Sequence, residues 1–301
     1  MSATPTSRRD DGPTLGQRLR ARGLDGVTLL VLPCVLLAIA LFVYPFLYGL
    51  WLSFHPKHGG TLANYERFFS DPFLSKTIWT TLRLALPVTL INLLLAVPIA
   101  FRVRLMKHQR ILTTILVLPI TLGTVLIAEG MLFYFGPQGW FTRSLMAIGL
   151  ISQPLHIVHG YWGVLLSLVI AIFPFTFLLT LSYVTGIDPS LEQAAATLGA
   201  SPAARFREIF LPLLLPGLAI TFCLSFVQAF SVLPSAVLVG DPANTTRVIS
   251  IAAYQAAFEE YDYSLASAIA MLMGVVQLAV VVVVLGGRSL LYRGPVTAAK
   301  G

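Results

Sequence analysis

The sequence predicts an all-α membrane protein of six transmembrane helices with both termini on the cytoplasmic side. Three observations carry this. The 301-residue chain is 56% hydrophobic and only 11% charged, with a mean hydropathy of +0.82, whereas a soluble domain carries about 25% charged residues. Six apolar stretches reach the ~20 residues that a helix needs to cross a ~30 Å hydrocarbon core. Lys and Arg alternate in density between the connectors, as they do where basic loops stay in the cytoplasm.

The stretches fall at 27–54, 78–101, 111–135, 161–183, 213–238 and 264–286. The first follows Arg18, Arg20 and Arg22 but is too long for a signal-peptide core, and no small-residue cleavage site follows it, so it reads as a retained span. Residues 1–23 form a polar tail, 24–290 the membrane domain with a polar loop at 186–212, and 291–301 a second tail. Arg8, Arg9, Arg18, Arg20 and Arg22 mark the first tail as cytoplasmic. Arg102, Arg104, Lys107 and Arg110 do so for the second connector, Arg205 and Arg207 for the fourth, and Arg288, Arg293 and Lys300 for the C-terminal tail. The net charge of +7 is therefore a topology signal. No basic patch is interleaved with exposed aromatics, which argues against nucleic acid as a partner and leaves membrane lipid as the chain's surroundings. Cys34 and Cys223 lie within apolar runs and read as small buried hydrophobes. Prolines 33, 45, 87, 98, 119, 174, 216 and 234 lie within the spans and can kink them.

No phosphate-binding Gly-x-x-x-x-Gly-Lys-Ser/Thr pattern is present, so ATP hydrolysis is not expected of this chain. Histidines 55, 58, 108, 156 and 159 fall in loops without the acidic or cysteine companions of a metal site. Catalytic and metal-binding residues are accordingly expected to be none. Arg83 and Glu129 are charges inside spans two and three, each about 8 Å below the outer surface by helical rise. They read as an ion pair, or Arg83 as a snorkelling arginine; alternatively Glu129 faces a solute path and meets a cationic solute. Gln228 and Ser231 on span five are the leading path candidates, with Ser225 beside them and Phe226 and Phe230 as a possible aromatic gate. Glu259, Glu260 and Asp262 form an acidic outer loop, either solvated or open to a basic partner.

The loop at 186–212 carries the most specific signal. Asp188-Pro189 is a helix start, Gly199 a helix stop, and Ser201-Pro202 a second start that Pro212 should end. Glu192, Ala194, Ala195, Gly199, Phe206, Leu211 and Pro212 stand in register with the Glu-Ala-Ala loop of permease subunits in binding-protein-dependent ABC importers, and Gln193 departs from it. The chain resembles that family, and its size, its six spans, Asp188-Pro189 and the run from Tyr263 resemble the spermidine/putrescine branch. The resemblance implies a type I importer permease fold. It also implies that Glu192, Ala194, Ala195, Gly199, Ala200, Ser201, Pro202 and Ala203 couple to an ATP-binding subunit dimer. ATP and Mg would sit on that partner, with no cofactor on this chain. A second permease subunit, different or identical, and a periplasmic or lipid-anchored solute-binding protein would complete the assembly. Permeases for iron, thiamine, opines and aminoethylphosphonate resemble the same branch. A self-contained secondary transporter or channel would need ionisable groups at the midplane or inverted repeats; Glu129 is too shallow and no repeat is visible. A non-transporting scaffold would have no ATPase partner.

Overall fold

The computed structural model describes residues 26–154 and 157–291. The N-terminal tail, all but the first residue of the C-terminal tail, and His156 lie outside the described residues. The chain forms two compact units, 1–52 and 53–301. Among the described residues, six helices are long and apolar enough to cross a membrane.

The first unit holds most of the first span. Gly26–Ala38 runs through a π-helical turn, Ile39–Val43, into Tyr44–Ser53. The turn sits immediately before Pro45. Proline lacks an N–H and its ring crowds the carbonyl four residues back. Widening the turn lets Tyr44 N–H bond Ile39 O instead, and the helix continues. Cys34 is exposed here rather than buried.

In the second unit the fourth span, Tyr161–Thr185, lies at the centre and packs against the second (Pro72–Val103), the third (Gln109–Phe135) and the fifth. It is apolar on all its faces and buries residues on several of them, Val164, Leu168, Ile172 and Phe177 among them. Hydroxyls join the helices: Ser167 donates to Ser235 at 3.0 Å, and Thr176 and Ser225 share a bond of 2.8 Å. Gly217 lies so close to the Tyr183 ring that a Cβ there would overlap it. Such contacts substitute for the hydrophobic effect, which lipid does not supply between helices.

The expected Arg83–Glu129 ion pair does not form, and neither side chain makes an ion pair among the described residues. The reason is the packing order. The fourth span lies between the second and third, which barely touch. Phe226 and Phe230 are fully buried in the main apolar cluster, so they pack rather than gate.

Two helices depart from the expected lengths. Pro212 does not end the second helix of the elbow. A π turn, Phe206–Phe210, precedes it, Leu211 N–H bonds Phe206 O, and the helix runs on from Pro202 to Phe230. The same fifth helix then breaks at 231–233, and Pro234–Leu238 is a separate short helix. The third span is kinked at Gly123, whose φ of +69° is open to glycine and strained for other residues.

At the end remote from the elbow, the acidic loop is tied down rather than free. Arg67, on the short helix Ala63–Ser70, reaches Glu260 at 3.3 Å and Asp262 at 3.4 Å, and Lys57 donates to Tyr261 O at 2.8 Å. Asp262 also caps the sixth span (Tyr263–Leu291) by accepting from Ser264 Oγ at 2.8 Å and Leu265 N at 3.2 Å. The exposed pairs are worth about 0–1 kcal/mol, whereas an N-cap contributes about 1 kcal/mol. Asp262→Ala, which loses both, should therefore lower the detergent-solubilised unfolding temperature more than Arg67→Ala. An equal effect in thermal melts would contradict the capping role.

Candidate functional site

The polar loop folds into a two-helix elbow. Asp188 accepts from Ser190 N at 2.8 Å to start the helix Pro189–Thr197, and the bonds from Ser190 hold its carboxyl below the usual carboxylate range. Proline at the first position loses no bond, because that N–H is unpaired in any helix. The helix ends in a complete glycine lock. Gly199 adopts φ +82°, its N–H bonds Ala196 O at 3.0 Å, and Ala200 N–H bonds Ala195 O at 3.0 Å. Ser201 then accepts from Ala204 N at 3.3 Å and opens the next helix at Pro202. None of the residues from Pro189 to Arg205 is buried, and Leu198, at the tip, is 88% exposed. Ala194 and Ala203 are exposed, and Ala195 and Ala200 half-buried.

Glu192 is not at the tip. It points back to the membrane domain, where Arg104 Nη2 lies 2.8 Å from one carboxylate oxygen and Arg205 Nη1 3.5 Å from the other. The Arg104 side chain is only 9% exposed. Its guanidinium lies 4.9 Å from the Phe101 ring centre and 4.6 Å from that of Phe210, and it also reaches Val184 O at 3.5 Å. One arginine at the end of the second span thus holds the end of the fourth span, the elbow and the start of the fifth helix. Phe206 and Phe210 complete the joint by packing edge-on against Phe101 of the second span, at 5.3 and 5.0 Å. Arg104 and Arg205 read as topology markers in the sequence. No local spacing connects Arg104 to a partner 88 positions away.

The path candidates are partly gathered. Gln228 and Ser231 are exposed, but Ser231 terminates the broken helix rather than continuing its face. Gln277 of the sixth span donates to Ser231 Oγ at 2.7 Å and reaches Val227 O at 3.4 Å. The break falls inside the fifth apolar stretch and is held by protein. The Ser250 hydroxyl donates to Val232 O, and Ile249 N donates at 2.9 Å to Thr81 Oγ1 of the second helix. Irregular backbone in a membrane segment is tolerated where protein or a water-filled cavity satisfies it. Ser225 is fully buried on Thr176. Glu129 is half-buried, and no hydrogen bond joins it to this cluster.

Among the described residues, six helices long and apolar enough to span a membrane, with a polar two-helix elbow before the fifth, are the architecture of a transporter's membrane subunit. The same fold recurs in a bacterial alginate ABC transporter in complex with an alginate-bound periplasmic protein, at a TM-score of 0.79 over 94% of this chain and 99% of that one, with 20% identity. Residues 90–290 match the family described as binding-protein-dependent transport system inner membrane component, and the chain belongs to that family. It is a multi-pass inner-membrane transport component and not an enzyme. The spermidine/putrescine transport system permease protein PotB of Haemophilus influenzae is 30% identical over 182 residues, which cover 60% of this chain and 63% of that protein. The trehalose transport system permease protein SugA of Mycobacterium tuberculosis is 25% identical over 272 residues, 86% of each chain.

Two outcomes are expected at the elbow. In a double-mutant cycle, Arg104→Gln and Glu192→Gln should show a coupling within about 0.5–3 kcal/mol, the range for residues sharing one ion-pair network. Additive losses in thermal unfolding would mean that the pair does not hold the elbow. Gly199→Val should leave the membrane domain inserted yet distort the elbow, because a β-branched residue resists positive φ. An unchanged protease-cleavage pattern across 189–204 in the variant would contradict the glycine lock.

Proposed function

We propose that the chain is the solute-conducting permease subunit of an ATP-driven importer and that its elbow docks on a separate ATP-hydrolysing subunit. The observation that carries this reading is the elbow itself. It is capped at both helix starts, locked by Gly199, exposes Leu198 at its tip, and is braced to two spans through Glu192. A stiff exposed projection on a braced base transmits displacement, and a loose loop would absorb it. Lys and Arg placement puts this elbow in the cytoplasm, with both termini. Ala194, Ala195, Gly199, Ala200, Ser201, Pro202 and Ala203 then form the docking element, and Glu192 anchors it from behind.

The remaining assembly follows the family pattern. It comprises an ATPase dimer carrying ATP and Mg, a second permease subunit that is more simply a different chain, and a periplasmic or lipid-anchored binding protein that delivers solute. Coupling works through differential affinity. Docking must favour one conformation of the spans, because equal affinity for both would shift nothing. For the solute we favour a small polar compound of the polyamine type. The neutral acceptors of Gln228, Ser231 and Gln277 and the carboxylate of Glu129 suit a hydrogen-bonding cation, and PotB is named for spermidine and putrescine. The similarity to SugA leaves a sugar as the rival solute.

Affinity purification from native membranes in mild detergent should bring down an ATPase with a phosphate-binding loop, and its consistent absence would sink the importer reading. Cysteines at 195, 200 and 203 should crosslink to that ATPase in a nucleotide-dependent way, whereas cysteine at 206, which faces Phe101, should not. Equal yields at 200 and 206 would mean that the docking surface lies elsewhere.

A further inference from the structure

Beside the elbow a groove of about 420 Å³ opens between the end of the second span and the start of the fifth helix. Its walls are apolar and include Val97, Pro98, Leu105 and Phe206. Its charged lining is unbalanced: Arg102, Arg104 and Arg205 face the single carboxylate of Glu192. Glu192 divides its two oxygens between Arg104 and Arg205, and Arg102 makes no ion pair among the described residues. The shielded Nε–H groups of Arg104 and Arg205 also find no acceptor in the described structure. Surplus positive charge next to hydrocarbon is costly unless an anion accompanies it.

The groove continues as an apolar stripe up the second span. Leu90 is 49% and Leu94 72% exposed, and Pro98 follows on the same face at the next interval of four residues. Four-residue steps keep these side chains in one row about 12 Å long. A row of that length suits an acyl chain, and the cationic end suits a headgroup phosphate.

We propose that this groove binds one acidic phospholipid of the elbow-side leaflet, with its phosphate on Arg102 and Arg205 and an acyl chain along Pro98, Leu94 and Leu90. A free phosphate would use the arginines and leave the stripe bare, and a neutral lipid would leave the charge uncompensated. The bound phosphate is a second anion beside Glu192. It ties the end of the second span to the helix that follows the elbow, so acidic lipid strengthens the joint that braces the elbow.

The test uses the full-length protein purified in detergent and titrated, under native mass spectrometry, with phosphatidylglycerol and phosphatidylcholine of identical chains. Phosphatidylglycerol should bind at least about fivefold more tightly, the ratio expected for one basic residue near a lipid surface. Arg102→Gln should abolish most of that preference and Arg102→Lys should retain it. Arg143→Gln, at the other end of the molecule, should leave it unchanged. Equal binding of the two lipids, or full preference in Arg102→Gln, would overturn the proposal. Competition by inorganic phosphate at concentrations comparable to the lipid would assign the site to a free anion and overturn it too. In the assembled transporter, a photoreactive probe on a cysteine at position 98 should capture lipid. Capture of a protein subunit instead would show that the groove is a protein interface.

Discussion

The ion pair between Arg104 and Glu192 is the interaction on which the arrangement of this molecule's polar end depends. A helix pair outside the bilayer has no core of its own, and this one buries no residue along its first helix. Its direction is set only by what holds its base. Arg104 supplies that hold because it is itself immobilised between two phenylalanine rings and beside the Val184 carbonyl. A guanidinium suits the task. It is planar, always charged and able to bond in several directions at once while stacking on aromatics, which an ammonium cannot do. Partial burial raises the strength of the pair and also the cost of leaving either partner alone. The joint is therefore expected to stay closed unless a competing partner is supplied.

A second constraint acts along the spans, where every backbone group must find a partner without water. The chain meets it in two ways. Ahead of Pro45 and Pro212 it widens to a π turn and keeps the helix continuous. At 231–233 it breaks the helix; the Ser250 hydroxyl donates to the Val232 carbonyl, and Gln277 donates to the Ser231 hydroxyl beside the break. The first solution preserves a stiff rod from the elbow into the membrane. The second leaves a polar, irregular segment inside the fifth apolar stretch, a discontinuity of the kind that contributes to solute sites in other transporters. One helix thus joins the elbow at one end to the polar break at the other.

Much of this was legible in the sequence. The six spans follow from length and apolar composition alone, and the elbow's caps from Asp188-Pro189, Gly199 and Ser201-Pro202, because these signals are local. What was illegible is long-range. The stop expected at Pro212 fails because the preceding turn widens, a response of backbone geometry that residue identity does not announce. The Arg83–Glu129 pair fails because matching depth does not decide which spans are neighbours, and the fourth span intervenes. Arg104 was visible only as one basic residue among several, since its meaning depends on a carboxylate far along the chain. Gln277 likewise gains significance only when the sixth span is laid against the break in the fifth.

With Arg104 bracing the elbow, and on the proposed importer function, the elbow and the second span should move as one body while the transporter cycles. Spin labels at positions 198 and 94, both exposed, report this directly. Their separation should be measured by pulsed electron resonance in the assembled complex, nucleotide-free and with ATP trapped. The distance should stay the same to within about 2 Å, small beside the one-turn, roughly 5 Å steps of switching helices, and its distribution should broaden when Arg104 is replaced by Gln. A clear change in the distance between the two states of the parent protein would contradict that expectation, because the elbow would then hinge on its base.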